Sequence, residues 1–268
     1  MTFSDDELKH FEDVGAELPS GGVSAYVEND GAQIWHASFG AGPPVILLHG
    51  GLGHAGNWQH QVQPLVDAGH QVVVVDSRGH GHSSRDERPY SYELMASDVI
   101  AVMDQLQLKK AAVIGWSDGA CTALVLAKQA AERVGGVFFF ACNMDPSGVK
   151  TTIAPSAILQ RCFGRHTADY ARLSETPDAF KPFAAAVQLM QRTQPDYSAH
   201  DLGGISIPVA IVQAEHEEFI EHAHAAYLSR SIPDAELVQL PGVSHFAPLQ
   251  RPSVFNAAMC AFLDRTGA

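Results

Sequence analysis

Residues 111–120 read Ala111-Ala112-Val113-Ile114-Gly115-Trp116-Ser117-Asp118-Gly119-Ala120. An apolar run of β character enters Gly-x-Ser-x-Gly, and an Ala- and Leu-rich stretch of helical character leaves it. Strand, sharp turn and helix around one serine place that hydroxyl at the tip of a strained bend. The flanking Gly115 and Gly119 fit because side chains there would strike the neighbouring strand and helix. A helix starting just after Ser117 aims its N-terminus at the attacking oxygen and at any oxyanion that forms.

Working outward, the surrounding chain alternates between buried strands and helices. Continuous apolar runs at Val45 to Leu48, Gln71 to Val75, Lys110 to Ile114, Val134 to Cys142 and Ile207 to Val212 are strands covered on both faces. Helices are expected over Trp58 to Ala68, Ser91 to Leu106, Ala120 to Ala131 and Ala223 to Ser231. The last strand is expected at Glu236 to Leu240 and the last helix at Ser253 to Arg265. This alternation implies an α/β fold with a doubly wound, mostly parallel sheet and helices on both faces. Ahead of it, Val23 to Glu28 and Ala32 to Ser38 form a hairpin around Asp30-Gly31. Ser4 and Glu7 fit a capping box for a helix from Ser4 to about Val14, an appendage on the core. From about 143 to 206 no buried strand occurs, and prolines at 146, 155, 177, 182 and 195 divide helical pieces at Ile158 to Phe163, Ala168 to Leu173 and Phe180 to Gln191. This segment reads as a helical cap inserted over the strand ends. Residues 1–268 then form one domain, with 1–20 as an N-terminal helical extension.

Composition bounds the partners. Seventeen Lys and Arg stand against 30 Asp and Glu, a formal net charge of −13. That disfavours nucleic acid and anionic membranes and leaves a small molecule as the expected partner. Four widely spaced cysteines without a Cys-x-x-Cys pair read as free thiols in a reducing cytoplasm. No signal peptide and no membrane-length apolar run is visible. His80-x-His82 and His222-x-His224 resemble metal ligands only in spacing, because residues two apart on a helix point to different sides. Neither metal nor cofactor is expected.

Four ordered motifs carry a resemblance: His49-Gly50-Gly51, Asp76-x-Arg78-Gly79-x-Gly81-x-Ser83, Gly115-Trp116-Ser117-Asp118-Gly119 and Gly242-Val243-Ser244-His245-Phe246. In content and order they resemble the α/β-hydrolase superfamily, in its short-cap serine esterase-like branch, over almost the whole chain beyond the first 20 residues. The resemblance implies Ser117 as nucleophile, activated by His245 as base. It implies an acid after the strand at Ile207 to Val212, usually aspartate; here Glu217 holds that position, a departure from the common pattern. Asp145, after the strand at Val134 to Cys142, is the rival acid, and is equally readable as the cap of a turn with Pro146 at its first position. Glu215 and Glu218 stand beside Glu217. The oxyanion donors implied are the N–H of Asp118 and that of Gly51 or Leu52. Trp116, Trp58, Met144 and Phe246 are pocket candidates, and Phe163, Phe183, Leu189 and Met190 are candidates for the wall under the cap. Arg78 is expected to tie loops together.

The activity implied is cleavage of small carboxylic esters through an acyl-enzyme. Lactonases, carbon–carbon bond hydrolases and cofactor-free perhydrolases share the triad. A slow or non-catalytic ligand receptor on the same scaffold is a reading of another class. Dehalogenases and epoxide hydrolases of similar fold use an aspartate where this chain has Ser117.

Overall fold

The computed structural model describes residues 7–267. In chain order the elements are α1 (Leu8–Val14), β1 (Val23–Asn29), β2 (Ala32–Phe39), β3 (Pro44–Leu48), α2 (Gln59–Asp67), β4 (Gln71–Val75), α3 (Tyr92–Gln105), β5 (Ala111–Trp116), α4 (Asp118–Gln129), β6 (Val134–Phe140), α5 (Ala157–Leu173), α6 (Phe180–Thr193), α7 (Ala199–Gly203), β7 (Val209–His216), α8 (His222–Ser231), β8 (Ala235–Ser244), α9 (Ala247–Gln250) and α10 (Pro252–Thr266). One eight-stranded sheet runs β1-β2-β4-β3-β5-β6-β7-β8. The β1–β2 and β2–β4 pairs are antiparallel and the others parallel.

The continuous apolar strands serve two cores. Ile46, Leu48, Val73, Val75 and Val113 pack on one face with Val99 of α3, Leu124 of α4 and Leu228 of α8. Val45, Leu47, Val72, Val74 and Ile114 pack on the other with Leu65 of α2 and Phe255 and Phe262 of α10. Consecutive residues of a strand point to opposite faces, so a strand covered on both sides has no polar position to spare.

Three differences from the sequence expectation have physical causes. First, α5 is one helix through Gly164, although a glycine inside a helix costs about 1 kcal/mol relative to alanine. Its start is fixed by Ser156 Oγ, which accepts from Leu159 N–H at 3.1 Å, and Leu159 and Cys162 bury its inner face. Second, β8 continues through Pro241 and Gly242 to Ser244. It is the edge strand, where proline deprives no neighbour of a donor, and Glu215 Oε2 accepts the Gly242 N–H at 2.6 Å. Third, α1 is more than an appendage: Leu8 and Phe11 are fully buried in the second core beside Ile158 and Leu159 of α5. Ser4, expected to cap this helix, lies outside the described residues.

Arg78 ties loops together. Its guanidinium is buried and bidentate on Asp98, at 2.6 and 2.9 Å, and donates to the Asn29 carbonyl at 3.3 Å. Among the described residues no helix is long and apolar enough to cross a membrane.

The close approach of α4 to β3 positions the serine. A Cβ on Gly119 would lie 2.1 Å from the Leu48 carbonyl oxygen, and one on Gly115 would lie 2.4 Å from Ala120 Cα. Both obstacles are backbone, which cannot swing aside. Gly119→Ala is therefore expected to destabilise the fold by about 1–3 kcal/mol, the usual cost of overpacking. Equilibrium urea unfolding measures it, and an unchanged midpoint would show that the turn has room.

Candidate active site

Ser117 sits between β5 and α4 with φ 54° and ψ −123°. Positive φ is disfavoured for a residue with a Cβ, and the strain is held by the flanking bonds. Ser117 N–H donates to the Phe140 carbonyl at 2.8 Å, and the Ser117 carbonyl accepts from Ala120 N–H at 2.7 Å. The residue lines a cavity of about 330 Å³ at the C-terminal ends of the strands, below α5 and α6.

His245, in the turn between β8 and α9, lines the same cavity. Its Nδ1 lies 2.6 Å from Glu217 Oε1, and Glu217 is buried. That oxygen also accepts Phe219 N–H at 3.0 Å, which fixes the carboxylate. The two other glutamates of the stretch hold the loop that carries His245: Glu218 Oε2 accepts His245 N–H at 2.8 Å, and Glu215 accepts Gly242 N–H. Burial opposes charge on the imidazole, but the Glu217 carboxylate, followed by those of Glu218 and Asp118, outweighs it and holds the pKa above its ordinary value. Among the described residues no hydrogen bond joins Ser117 Oγ to the ring; the two groups share the cavity wall.

Asp145 is elsewhere. Its carboxylate caps the turn at Pro146–Gly148, accepting Ser147 N–H at 2.9 Å. It stands 3.8 Å from the ring of His224, while the ring of His245 pairs with Glu217. This placement sets Asp145, the rival acid, with His224 and apart from the His245–Glu217 pair.

The loop after β3 faces the serine. A Cβ on Gly50 would meet Ser117 Cβ at 3.3 Å, and one on Gly51 would fall 2.4 Å from Asp118 Oδ2. Leu52 has φ 64°. Gly53 N–H is used on the Gly50 carbonyl, whereas the N–H groups of Gly51 and Leu52 have no acceptor among the described residues. Asp118 opens α4, so its N–H has no partner within the helix. Beneath this loop, His49 Nδ1 lies 2.7 Å from the Gly50 carbonyl while its Nε2 accepts Ser77 N–H, and buried Asp76 accepts Ala55 N–H at 2.6 Å. The Asp76 to Ser83 block thus braces the loop from below. His80 and His82 make separate contacts, His82 with Asp76 and His80 edge-on to Phe183. Among the described residues no group of three or more His, Cys, Asp or Glu side chains could hold a metal ion.

The pocket wall differs from expectation at two of four positions. Trp116 and Phe246 line the cavity. Trp58 does not: it is fully buried one layer behind, edge-on to Trp116 and packed against Phe255. Met144 is also fully buried, its backbone bonded to His224 and Tyr197. Of the candidates under the helical segment, Phe163 lines the cavity, Phe183 and Met190 are core and Leu189 is exposed.

Several cavity residues carried no sequence signal. The Asp118 carboxylate accepts from Tyr92 Oη–H at 3.0 Å and from Gln191 Nε2 at 2.9 Å, and burial pushes its pKa up. Asn57 and His166 also face the cavity. Such pairings join α3, α4 and α6 across long stretches of chain, and no local pattern announces them.

A mostly parallel sheet with a strained serine after its central strand, and a histidine–carboxylate pair at the strand ends, matches a known family. The α/β-hydrolase fold family matches residues 43–179, and the chain belongs to it and is an enzyme of that class. Rhodomycin D methylesterase DnrP of Streptomyces peucetius is 27% identical, covering 88% of this chain and 96% of its own. The 2-hydroxy-6-oxo-6-phenylhexa-2,4-dienoate hydrolase of Burkholderia cepacia is 26% identical, covering 84% and 88%. The solved structure of Est816, described as an N-acyl homoserine lactone degrading enzyme, is 28% identical with a TM-score of 0.72, covering 89% of this chain and all of its own.

The His245–Glu217 pair sets an expectation for titration. By NMR the wild-type ring should titrate above the unperturbed value of about 6.5. In Glu217→Gln the leading cause of the rise is removed while burial still favours the neutral ring, so the midpoint should fall. An unchanged midpoint would mean that the carboxylate does not face the ring in solution.

Proposed function

We propose that the chain is a serine hydrolase of small carboxylic esters. Ser117 Oγ attacks the scissile carbonyl while His245 Nε2 takes its proton. Glu217 holds the Nδ1–H tautomer and stabilises the imidazolium. The N–H of Asp118 and that of Gly51 or Leu52 receive the oxyanion, each donor worth on the order of 3 kcal/mol. His245 returns the proton to the departing alcohol, then deprotonates the water that releases the acid from Ser117. The observation that carries this reading is the buried 2.6 Å Nδ1–Oε1 pair on the same cavity wall as the strained serine.

Glutamate replaces the commoner aspartate without loss of logic, since one more methylene still lets a carboxylate reach the ring. Lactone opening is the second reading. A lactone is a cyclic ester and needs the same groups, and a solved relative is described as degrading one. In either case the helical segment from about 143 to 206 serves as a cap on one domain. The acidic balance supports a small-molecule partner, and four free thiols support the cytoplasm.

The test is acylation. With p-nitrophenyl butyrate, wild type should give a burst and an adduct on Ser117 by mass spectrometry, and Ser117→Ala neither. Glu217→Gln should lower kcat by on the order of 10⁴, the effect of losing a triad carboxylate, with Asp145→Asn near wild type. The reverse ranking would transfer the acid role to Asp145. The base acts unprotonated and its pKa is raised, so kcat/KM should fall with decreasing pH from an apparent pKa above about 6.5. No adduct and no turnover across esters and lactones would favour a ligand receptor on this scaffold.

A further inference from the structure

Two cavity residues have hydrogen-bonding capacity that the protein leaves unused. Asn57 is fully buried and lines the cavity. Its Oδ1 accepts His54 N–H at 3.0 Å, which fixes the orientation of the amide and leaves Nδ2 as its free end. That Nδ2 is buried without a partner. His166, on α5, is 4% exposed and lines the same cavity. Among the described residues neither of its ring nitrogens has a hydrogen-bond partner, and Nδ1 is wholly buried. Burial, reinforced by the neighbouring His54, pushes the ring's pKa down to about 3, so it stays neutral, with one N–H to donate and one nitrogen to accept.

A buried donor left unpaired has lost its hydration with nothing in return, which is destabilising. Here the cost is borne in a rigid setting. Asp169, on α5, stands 3.4 Å from His54 Nε2 and pairs with Arg165 and Arg172. This buried contact sets α5 against the loop after β3, and the two elements bring His166 and Asn57 to one cavity. The ring of His166 is backed by the edge of Phe11 at 6.0 Å. Elsewhere the wall is largely apolar, with Leu52, Val149, Ile153, Phe163, Phe219 and Ile220. Polar groups with free valences in an apolar cavity fix the orientation of a ligand.

We propose that Asn57 and His166 form a polar subsite that binds an oxygen acceptor of the substrate other than the scissile carbonyl. The preferred substrates are then small oxygenated esters or lactones, bearing a ketone or similar oxygen, rather than plain alkanoate esters. The inference rests on the ester-hydrolase reading for the reaction, but not for the binding.

The experiment compares p-nitrophenyl hexanoate with its 3-, 4- and 5-oxo analogues, and ethyl esters with keto-alcohol esters of the same acid. At least one oxo compound should exceed its parent about tenfold in kcat/KM, the scale of one neutral hydrogen bond gained in a buried site. His166→Phe, which keeps the ring's bulk, and Asn57→Asp, which keeps the Oδ1 acceptor, should each bring that ratio to within about twofold of unity. A positionally constant preference across wild type and both variants would overturn the subsite. So would equal rates on every pair, the result if these groups hold only water. Calorimetry with Ser117→Ala and the ethyl esters separates the two readings and needs no substitution in the subsite. Tighter binding of an oxo ester with no turnover by wild type keeps the subsite and removes the esterase. Turnover with equal binding keeps the esterase and removes the subsite.

Discussion

The turn at Ser117 is the constraint on which the rest of this molecule depends. A residue with a Cβ is held at φ 54° because β5 ends and α4 begins with no intervening loop. That geometry is affordable only where α4 can ride directly on the ends of β3 and β5, and Gly115 and Gly119 are what let the backbones meet. The strain has a use: it presents Ser117 and the first residue of α4 together on the cavity wall. A helix packed at ordinary distance would bury the serine or point the N–H elsewhere.

Around that turn the strand ends divide the labour. β3 delivers a loop whose Gly51 and Leu52 N–H groups have no acceptor among the described residues, braced by His49 and Asp76. β7 delivers three nearby carboxylates with different tasks. Glu217 faces the imidazole, while Glu215 and Glu218 grip the backbone of the loop that carries it. His245 is thus held by its main chain as well as by its ring. Little rotational freedom remains to be lost when a substrate arrives.

Much of this was legible in the sequence because it is local. The apolar runs, Gly-x-Ser-x-Gly and the Asp-Gly hairpin each state their structure within a few residues. Glu217 and His245 were legible through their places after β7 and β8. What stayed hidden depends on packing between distant segments. Trp58 and Met144 are large apolar residues near the site in sequence, yet both face the core; nothing local distinguishes a wall residue from the layer behind it. The helix runs through Gly164 against the sequence expectation because glycine's propensity is weak against the burial of Leu159 and Cys162. Tyr92, Gln191, Asn57 and His166 come from four separate elements, and only the fold brings them to one cavity.

The seating of α1 reaches further than its place at the front of the chain suggests. Phe11 fills the space behind His166, so the first described helix is part of the wall's foundation. For anyone handling this enzyme, the amino end is no inert handle. A fusion partner or trimming that unseats Leu8 and Phe11 would strip the packing from behind His166 and the inner face of α5, far along the chain from where the change is made.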